Sequence, residues 1–186
     1  LQGALYSYTV TATDLDGDAL AYSAPVLPPW LAFSTTSHIL TGTPGNDEVG
    51  NHNVTLRIFD GTVNVDQTFI IAVGNVNDAP TFTSTPVTTA SQGAVYTYTA
   101  TATDMDGDAL TYSAPVLPAW LTFNPSTHVL TGTPDNTHVG NHNVTLRIFD
   151  GTVNVDQAFI IAVGDVNDAP VFTSQPVTVA RPGSAY

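Results

Sequence analysis

The chain repeats itself: residues 1–90 and 91–180 align without a gap, and roughly three quarters of the aligned pairs are identical. The anchors coincide, with Asp14 over Asp104, Trp30 over Trp120, Gly42 over Gly132, Arg57 over Arg147, Asp60 over Asp150 and Pro80 over Pro170. Residues 181–186 then match the opening of a further copy, Tyr186 falling where Tyr96 and Tyr6 fall. A period of this length is too long for one coil of a solenoid and suits a small all-β domain, so the repeat predicts a string of domains. Tandem near-identical domains serve reach and repetition, whereas catalysis needs only one site.

Strand periodicity dominates each copy. In Ala94–Thr103, Tyr96, Tyr98, Ala100 and Ala102 share one face and threonines the other. In His142–Phe149, Val144, Leu146 and Ile148 alternate with Asn143, Thr145 and Arg147, and Val153–Val163 alternates in the same way. Ala109–Ala114 and Ala119–Phe123 read as shorter strands. Turn formers separate them: DGD at 106–108, Pro115 and Pro118, NPST at 124–127, GTP at 132–134 and DG at 150–151. No helical period stands out. About seven short strands with regular turns read as a Greek-key sandwich. The fold class is therefore all-β: tandem Greek-key β-sandwich domains.

The joints are Asn75–Thr81 (NVNDAPT) and Asp165–Val171 (DVNDAPV), short, polar and stiffened by proline. They divide the chain into repeat 1 over 1–78, which lacks a counterpart of the 81–90 strand, repeat 2 over 79–168, and the first strand of a third repeat over 169–186. The chain opens at Leu1 in mid-motif, so it reads as a cut from a longer array. A strand exchanged between copies is the alternative.

Charge narrows the partners. The net charge is −13, there is no lysine, and the bases are Arg57, Arg147 and Arg181. Such a chain repels phosphate backbones and anionic lipid, and it suits hard divalent cations that take oxygen ligands. Cysteine is absent, which removes disulfides, thiolate metal sites and cysteine nucleophiles. Without lysine, Lys–Asn isopeptide staples cannot form either. No apolar run reaches the length of a membrane span and no signal peptide is present, so no membrane insertion is expected of this stretch.

The acids recur in three clusters per repeat, each at a strand end: Asp104, Asp106 and Asp108 (repeating Asp14, Asp16 and Asp18), Asp150-Gly151 (repeating Asp60-Gly61), and the linker pairs Asn77-Asp78 and Asn167-Asp168. In a seven-strand sandwich the two loops and the chain's entry point can share one end. Carboxylates and linker carbonyls there could supply the six to eight oxygens calcium takes. Turn formation is the plainer use of the same residues.

VNDAPxF resembles the calcium-binding linker of cadherin repeats, ATDxDGDALxYS their aspartate pair, and FDG at 149–151 their third acidic loop. The longer pattern, DxDGDALxYSAPVLPxWLxF followed by LTGTP and DG, resembles the bacterial Ig-like, dystroglycan-type cadherin-like tandem repeat module, twice over nearly the whole chain. The resemblance implies a Ca2+ site built from the Asn77 side chain, the Ala79 carbonyl, and the carboxylates of Asp104, Asp106 and Asp150. Asp78 and the Val76 carbonyl would add to it or hold a second ion. Cadherins carry further acids where this chain reads TTASQG (88–93) and LTGTP (40–44), and Asn75 stands where Asp165 keeps an acid. The resemblance therefore implies one or two ions per junction, weakly held.

His38, His52, His128, His138 and His142 have no metal-ligand spacing and read as surface residues. No nucleophile elbow or phosphate loop occurs. Paired carboxylates for glycoside hydrolysis are disfavoured by their identical recurrence. Trp30 and Trp120 read as core residues rather than sugar platforms, and Asn53 and Asn143 head glycosylation sequons. Asn53 and Arg57 face outward, where they could meet neighbours. The expected function is non-catalytic: an extracellular or cell-surface array acting as a calcium-stiffened stalk, adhesin or filament segment. Its expected partners are neighbouring repeats, copies of itself, surface glycans or another cell-surface protein. A carbohydrate-binding accessory module of a large secreted enzyme, and a head-to-tail polymer formed by β-strand addition, are the alternatives.

Overall fold

The computed structural model describes residues 1–179 and 182–183. The chain groups into two compact units. Unit 1 holds Leu1–Thr81 with Ala102–Thr111 and Ile148–Val155, and unit 2 holds Phe82–Thr101, Tyr112–Arg147 and the chain from Asp156 onward.

In unit 1, β1 (Tyr6–Thr9), β4 (Ile39–Gly42) and β3 (Leu31–Ser34) form one sheet in the order β1-β4-β3. A second sheet has the order β2-β5-β6, from β2 (Ala21–Val26), β5 (Gly50–Phe59) and β6 (Asn64–Val73). All pairings in both are antiparallel. β5 and β6 face each other over their whole length, from Gly50↔Val73 to Phe59↔Asn64, about the turn that contains Asp60-Gly61. That register puts Val54 and Leu56 inward and sets Arg57 opposite Asp66 on the outer face, where Nε and Nη2 donate to the carboxylate at 2.6 and 2.8 Å. The core gathers Val10, Leu31, Leu40, Val54, Leu56, Ile71 and Val73, with Trp30 and Tyr22 packed on it.

The second repeat builds the same pattern from β9 (Tyr96–Thr99), β11 (Thr111–Val116), β12 (Leu121–Asn124), β13 (Val129–Gly132), β14 (Gly140–Phe149) and β15 (Asn154–Gly164). Its sheets have the orders β12-β13-β9 and β11-β14-β15-β8. Two further short strands, β7 (Thr81–Phe82) and β10 (Ala102–Thr103), pair with each other. The alternation read from the sequence sorts as expected: Tyr96, Tyr98, Ala100, Val144, Leu146, Ile148, Ile161 and Val163 are all buried. Trp120 belongs to the core of unit 2, edge-on to Tyr96.

Four features depart from the sequence reading. β13 and β4 are strands that the Gly- and Pro-rich LTGTP stretch conceals. Their last glycines lie where strands cross closely, and a Cβ on Gly42 or Gly132 would run into the carbonyl of Trp30 or Trp120. The strand expected over 81–90 forms only at its two ends, as β7 and β8 (Thr89–Ser91), and β8 adds to β15 in parallel, Ala162↔Thr89 to Gly164↔Ser91. The histidines are packed rather than bare. His38 and His128 hold left-handed backbone (φ 56° and 58°) and stack on Tyr22 and Tyr112 at 3.8 and 3.7 Å. His52 and His142 lie edge-on to Trp30 and Trp120. Finally, residues 165–179 form no strand, and 180–181 and 184–186, the remainder of the expected third-repeat strand, lie outside the described residues.

The close crossing at Gly132 gives a direct test. Gly132→Ala must push β13 off the Trp120 carbonyl and should cost unit 2 about 1–3 kcal/mol. Denaturant unfolding followed by tryptophan fluorescence measures it, and an unchanged midpoint would refute the close approach.

Candidate metal centre at the linker

The acidic residues of the second repeat's loops and the linker Asn75–Thr81 all belong to unit 1. The loop between β10 and β11 is shaped by its first aspartate. Asp104 Oδ1 accepts from the backbone N–H of Asp106 at 2.9 Å and of Asp108 at 3.2 Å, an Asx turn that Gly107 completes at φ 77°. This curl brings Asp104, Asp106 and Asp108 together, with carboxylate oxygens within 4.8 Å of one another. Met105, whose side chain points to solvent, offers its carbonyl to Asn46 Nδ2 at 3.0 Å.

The β14–β15 turn supplies Asp150, a buried charged residue only 7% exposed. Its Oδ1 accepts from the N–H of Thr152 at 2.6 Å and from that of Val153. Its Oδ2 accepts from Asn77 Nδ2 at 3.0 Å. The Asn77 bond first, then the two backbone donors, hold the Asp150 carboxyl below the usual carboxylate range. Asp108 moves the other way: loss of solvent, followed by the charges of Asp104, Asp106 and Asp150, pushes its carboxyl up.

The linker is fastened by its backbone. The Asp78 N–H donates to Asp106 Oδ2 at 2.6 Å. The Asp78 carboxylate is engaged elsewhere, accepting from Gln2 Nε2 at 3.1 Å, while Gln2 Oε1 accepts from the Val76 N–H at 3.3 Å. Ala79 is exposed, next to the buried Pro80. The structure thus brings together Asn77, Asp104, Asp106 and Asp150 of the expected ligands, adds Asp108, and turns the Asp78 side chain toward Gln2.

Two oxygens are left over. Asp104 Oδ2 and Asp106 Oδ1 are buried and have no hydrogen-bond partner. Buried carboxylate oxygens without a donor are costly, and an all-oxygen, carboxylate-rich set of this kind fits a hard divalent cation better than a soft one. The first repeat keeps the two turns, with Asp14 Oδ1 accepting from Asp16 and Asp18 and Asp60 Oδ1 from Thr62 and Val63. Among the described residues only the 104–108 acids converge as a group that could hold an ion.

The glutamine grip on the linker escaped the sequence reading. It recurs in unit 2, where Gln92 Nε2 donates to Asp168 at 3.0 Å and Gln92 Oε1 accepts from the Val166 N–H at 3.1 Å. The signal was the recurrence of QGA at 2–4 and 92–94, where attention to missing acids obscured an amide able to donate and accept at once.

Comparison with known proteins agrees with this architecture. The chain is 29% identical over 181 residues to chitinase A of Pseudoalteromonas piscicida, covering 95% of this chain and 22% of the relative, so it spans about a fifth of that protein's length. Human protocadherin-24 EC1-2 superposes with a TM-score of 0.52 at 17% identity, over 86% of this chain and 88% of that one. Protocadherin gammaB7 EC3-6 superposes with a TM-score of 0.53 at 16% identity, over 84% and 44%. At these identities the protocadherins show a shared fold. Residues 1–74 and 79–164 each match the family described as Putative Ig domain, and the chain belongs to that family as a tandem pair of Ig-like, cadherin-like repeats.

Proposed function

We propose that this chain is a non-catalytic, extracellular spacer segment of a longer protein, stiffened by a calcium ion held among Asp104, Asp106, Asp108 and the Asn77–Asp150 pair. The observation that carries the reading is the pair of buried, donor-less oxygens on Asp104 and Asp106, beside a linker already hydrogen-bonded to both loops. A divalent cation satisfies those oxygens and neutralises the crowded carboxylates. The linker and the two loops then behave as one body. Without the cation, like charges loosen the same contacts. Calcium suits the site better than magnesium because loop carboxylates of mixed exposure tolerate its flexible coordination.

The similarity to a segment of chitinase A supports placing such a spacer in a polysaccharide-degrading enzyme, where it would set the distance between catalytic and anchoring parts. Direct sugar binding by stacking on tryptophan is disfavoured, since Trp120 is only 9% exposed and Trp30 packs on the core of unit 1.

Calorimetric titration with calcium should show saturable binding. Melting at calcium well above its dissociation constant should rise by roughly 5–10 °C over melting in chelator. Asp104→Ala with Asp106→Ala should abolish both effects; it also lowers the melting point in chelator, because the turn and the linker lose their acceptors, so the reading rests on the loss of the calcium-dependent increment. Absence of heat at millimolar calcium, with identical melting curves, would remove the cation from the mechanism.

Acid should erase the calcium effect from two sides. Asp108 has a raised carboxyl pKa, so its protonation favours the metal-free fold at low pH and that contribution is lost as pH rises through the raised value. Asp150 has a lowered one, so its contribution is present at neutral pH and is lost as pH falls through its own, lower value. The gap between melting points with and without calcium should therefore be full at pH 7 and shrink toward zero as pH falls through the carboxylate range. A gap independent of pH would place the ion on ligands other than carboxylates.

A further inference from the structure

Asp78 meets the acidic site with its backbone and turns its side chain away. Its N–H donates to Asp106 Oδ2 at 2.6 Å. Its carbonyl accepts at 3.1 Å from Asn77 Nδ2, the same nitrogen that donates to Asp150 Oδ2 at 3.0 Å. The carboxylate, the acid of the linker Asn75–Thr81, accepts instead from Gln2 Nε2 at 3.1 Å. Since the Asp78 nitrogen already touches Asp106, the rotamer of the side chain, rather than the path of the backbone, decides whether this carboxylate faces the cluster.

Gln2 is well placed to make that choice. It is half-buried, and its own backbone is fixed: the Gln2 N–H donates to the Gly74 carbonyl at 2.9 Å and the Gly3 N–H to the Pro44 carbonyl at 2.8 Å. The side-chain amide lies along the linker, accepting from the Val76 N–H at 3.3 Å while it donates to Asp78. A primary amide can do both at once, whereas an ionised glutamate cannot donate and a lysine cannot accept. In unit 2 the arrangement recurs in the interior of the chain. The Gln92 N–H donates to the Gly164 carbonyl at 3.0 Å and the Gly93 N–H to the Pro134 carbonyl at 2.8 Å, with the side chain on Val166 and Asp168.

The direction of Asp78 matters because the cluster is already crowded. Asp104, Asp106 and Asp108 each place an oxygen within 4.8 Å of the others. One more carboxylate turned among them would add like charge to the metal-free joint. With a cation bound the same carboxylate becomes a ligand, and calcium affinity rises with the number of charged ligands.

We propose that Gln2 is a positioning residue that holds the Asp78 carboxylate out of the acidic site, and, resting on the calcium reading given above, that this hold keeps the calcium affinity of the joint low. Control of affinity then belongs to a neutral side chain that never touches the ion. Release of the amide frees Asp78 to turn toward the cation.

The test is a double-mutant cycle on the 186-residue chain. Calcium binding is followed by calorimetry and by the NMR signals of the Asp78, Thr152 and Val153 N–H groups, which report the site itself. Gln2→Ala should tighten calcium on the order of tenfold, although it lowers the melting point in chelator because the linker loses two hydrogen bonds. The opposite directions separate release of a ligand from mere loss of structure, which would weaken calcium as well. Asp78→Asn keeps an acceptor for Gln2 and should weaken calcium modestly, through the loss of a nearby charge. In the Gln2→Ala background the same change should cost about tenfold more, cancelling the gain. Calcium that binds the wild type but binds Gln2→Ala no more tightly overturns the proposal and leaves the calcium reading standing, as does a cycle in which the two changes simply add. A wild type that binds no calcium overturns both.

Discussion

A slip of one residue in β5 or β14 would turn Val54 and Leu56, or Val144, Leu146 and Ile148, out to solvent and bring Asn, Thr and Arg into the core. The two-residue period of a pleated strand leaves no intermediate choice. Much else is tied to that register. It sets Arg57 against Asp66 and Arg147 against Asp156 as bidentate pairs on the outer face. It also delivers Asp60 and Asp150 to the turn that follows the strand, each positioned to accept from the next N–H groups. The acidic loops are therefore placed by hydrophobic burial, and electrostatics must make the best of where they fall.

The chain has little with which to do so. Of its three arginines, Arg57 and Arg147 are engaged on the outer faces of the sheets, where they pair with Asp66 and Asp156. Asp104, Asp106 and Asp150 are served instead by N–H donors: four from the turns themselves, one from the Asp78 backbone and one from the Asn77 amide. Those donors satisfy one side of Asp104 and of Asp106 and both oxygens of Asp150. The opposite lowering of Asp150 and raising of Asp108 record the division, since the carboxylate with three donors is content to be ionised and the outermost member of the cluster bears the crowding. Asp104 Oδ2 and Asp106 Oδ1 remain buried without a hydrogen-bond partner.

The fold was legible in the sequence because its strongest signals were physical ones. Alternation located β5, β6, β14 and β15, and the turn dipeptides separated them. The tryptophan of LPxWLxF read as core because an aromatic between apolar neighbours has nowhere better to go. Asp-Gly pairs read as strand-end turns, and three of the acids later found together were named from them. What stayed hidden depends on partners distant in sequence. β13 is four residues ending in a glycine, and it is a strand only because β9 and β12 flank it. A strand over 81–90 was expected, but the parallel pairing of its end, β8, with β15 was not. His38 and His128 adopt left-handed backbone and stack on a tyrosine sixteen residues earlier, and no local code marks a histidine for that role. The Gln2 and Gln92 grip spans a whole repeat, and Asp78 pointed away from the cluster because that amide was there to take it.

The second repeat is finished by a segment that is not part of its own hairpins. Residues 82–91 pack Phe82 and Ala90 on its core and cover the edge of β15. Directly before that segment sits the linker, whose Asp78 N–H and Asn77 amide engage the acidic loops. One continuous stretch, 77–91, therefore supplies both the linker's half of the acidic site and the cover of that sheet edge. The two tasks favour each other: bonds at 77–78 fix the start of the segment, which reduces the entropy lost when Phe82 and Ser84 dock.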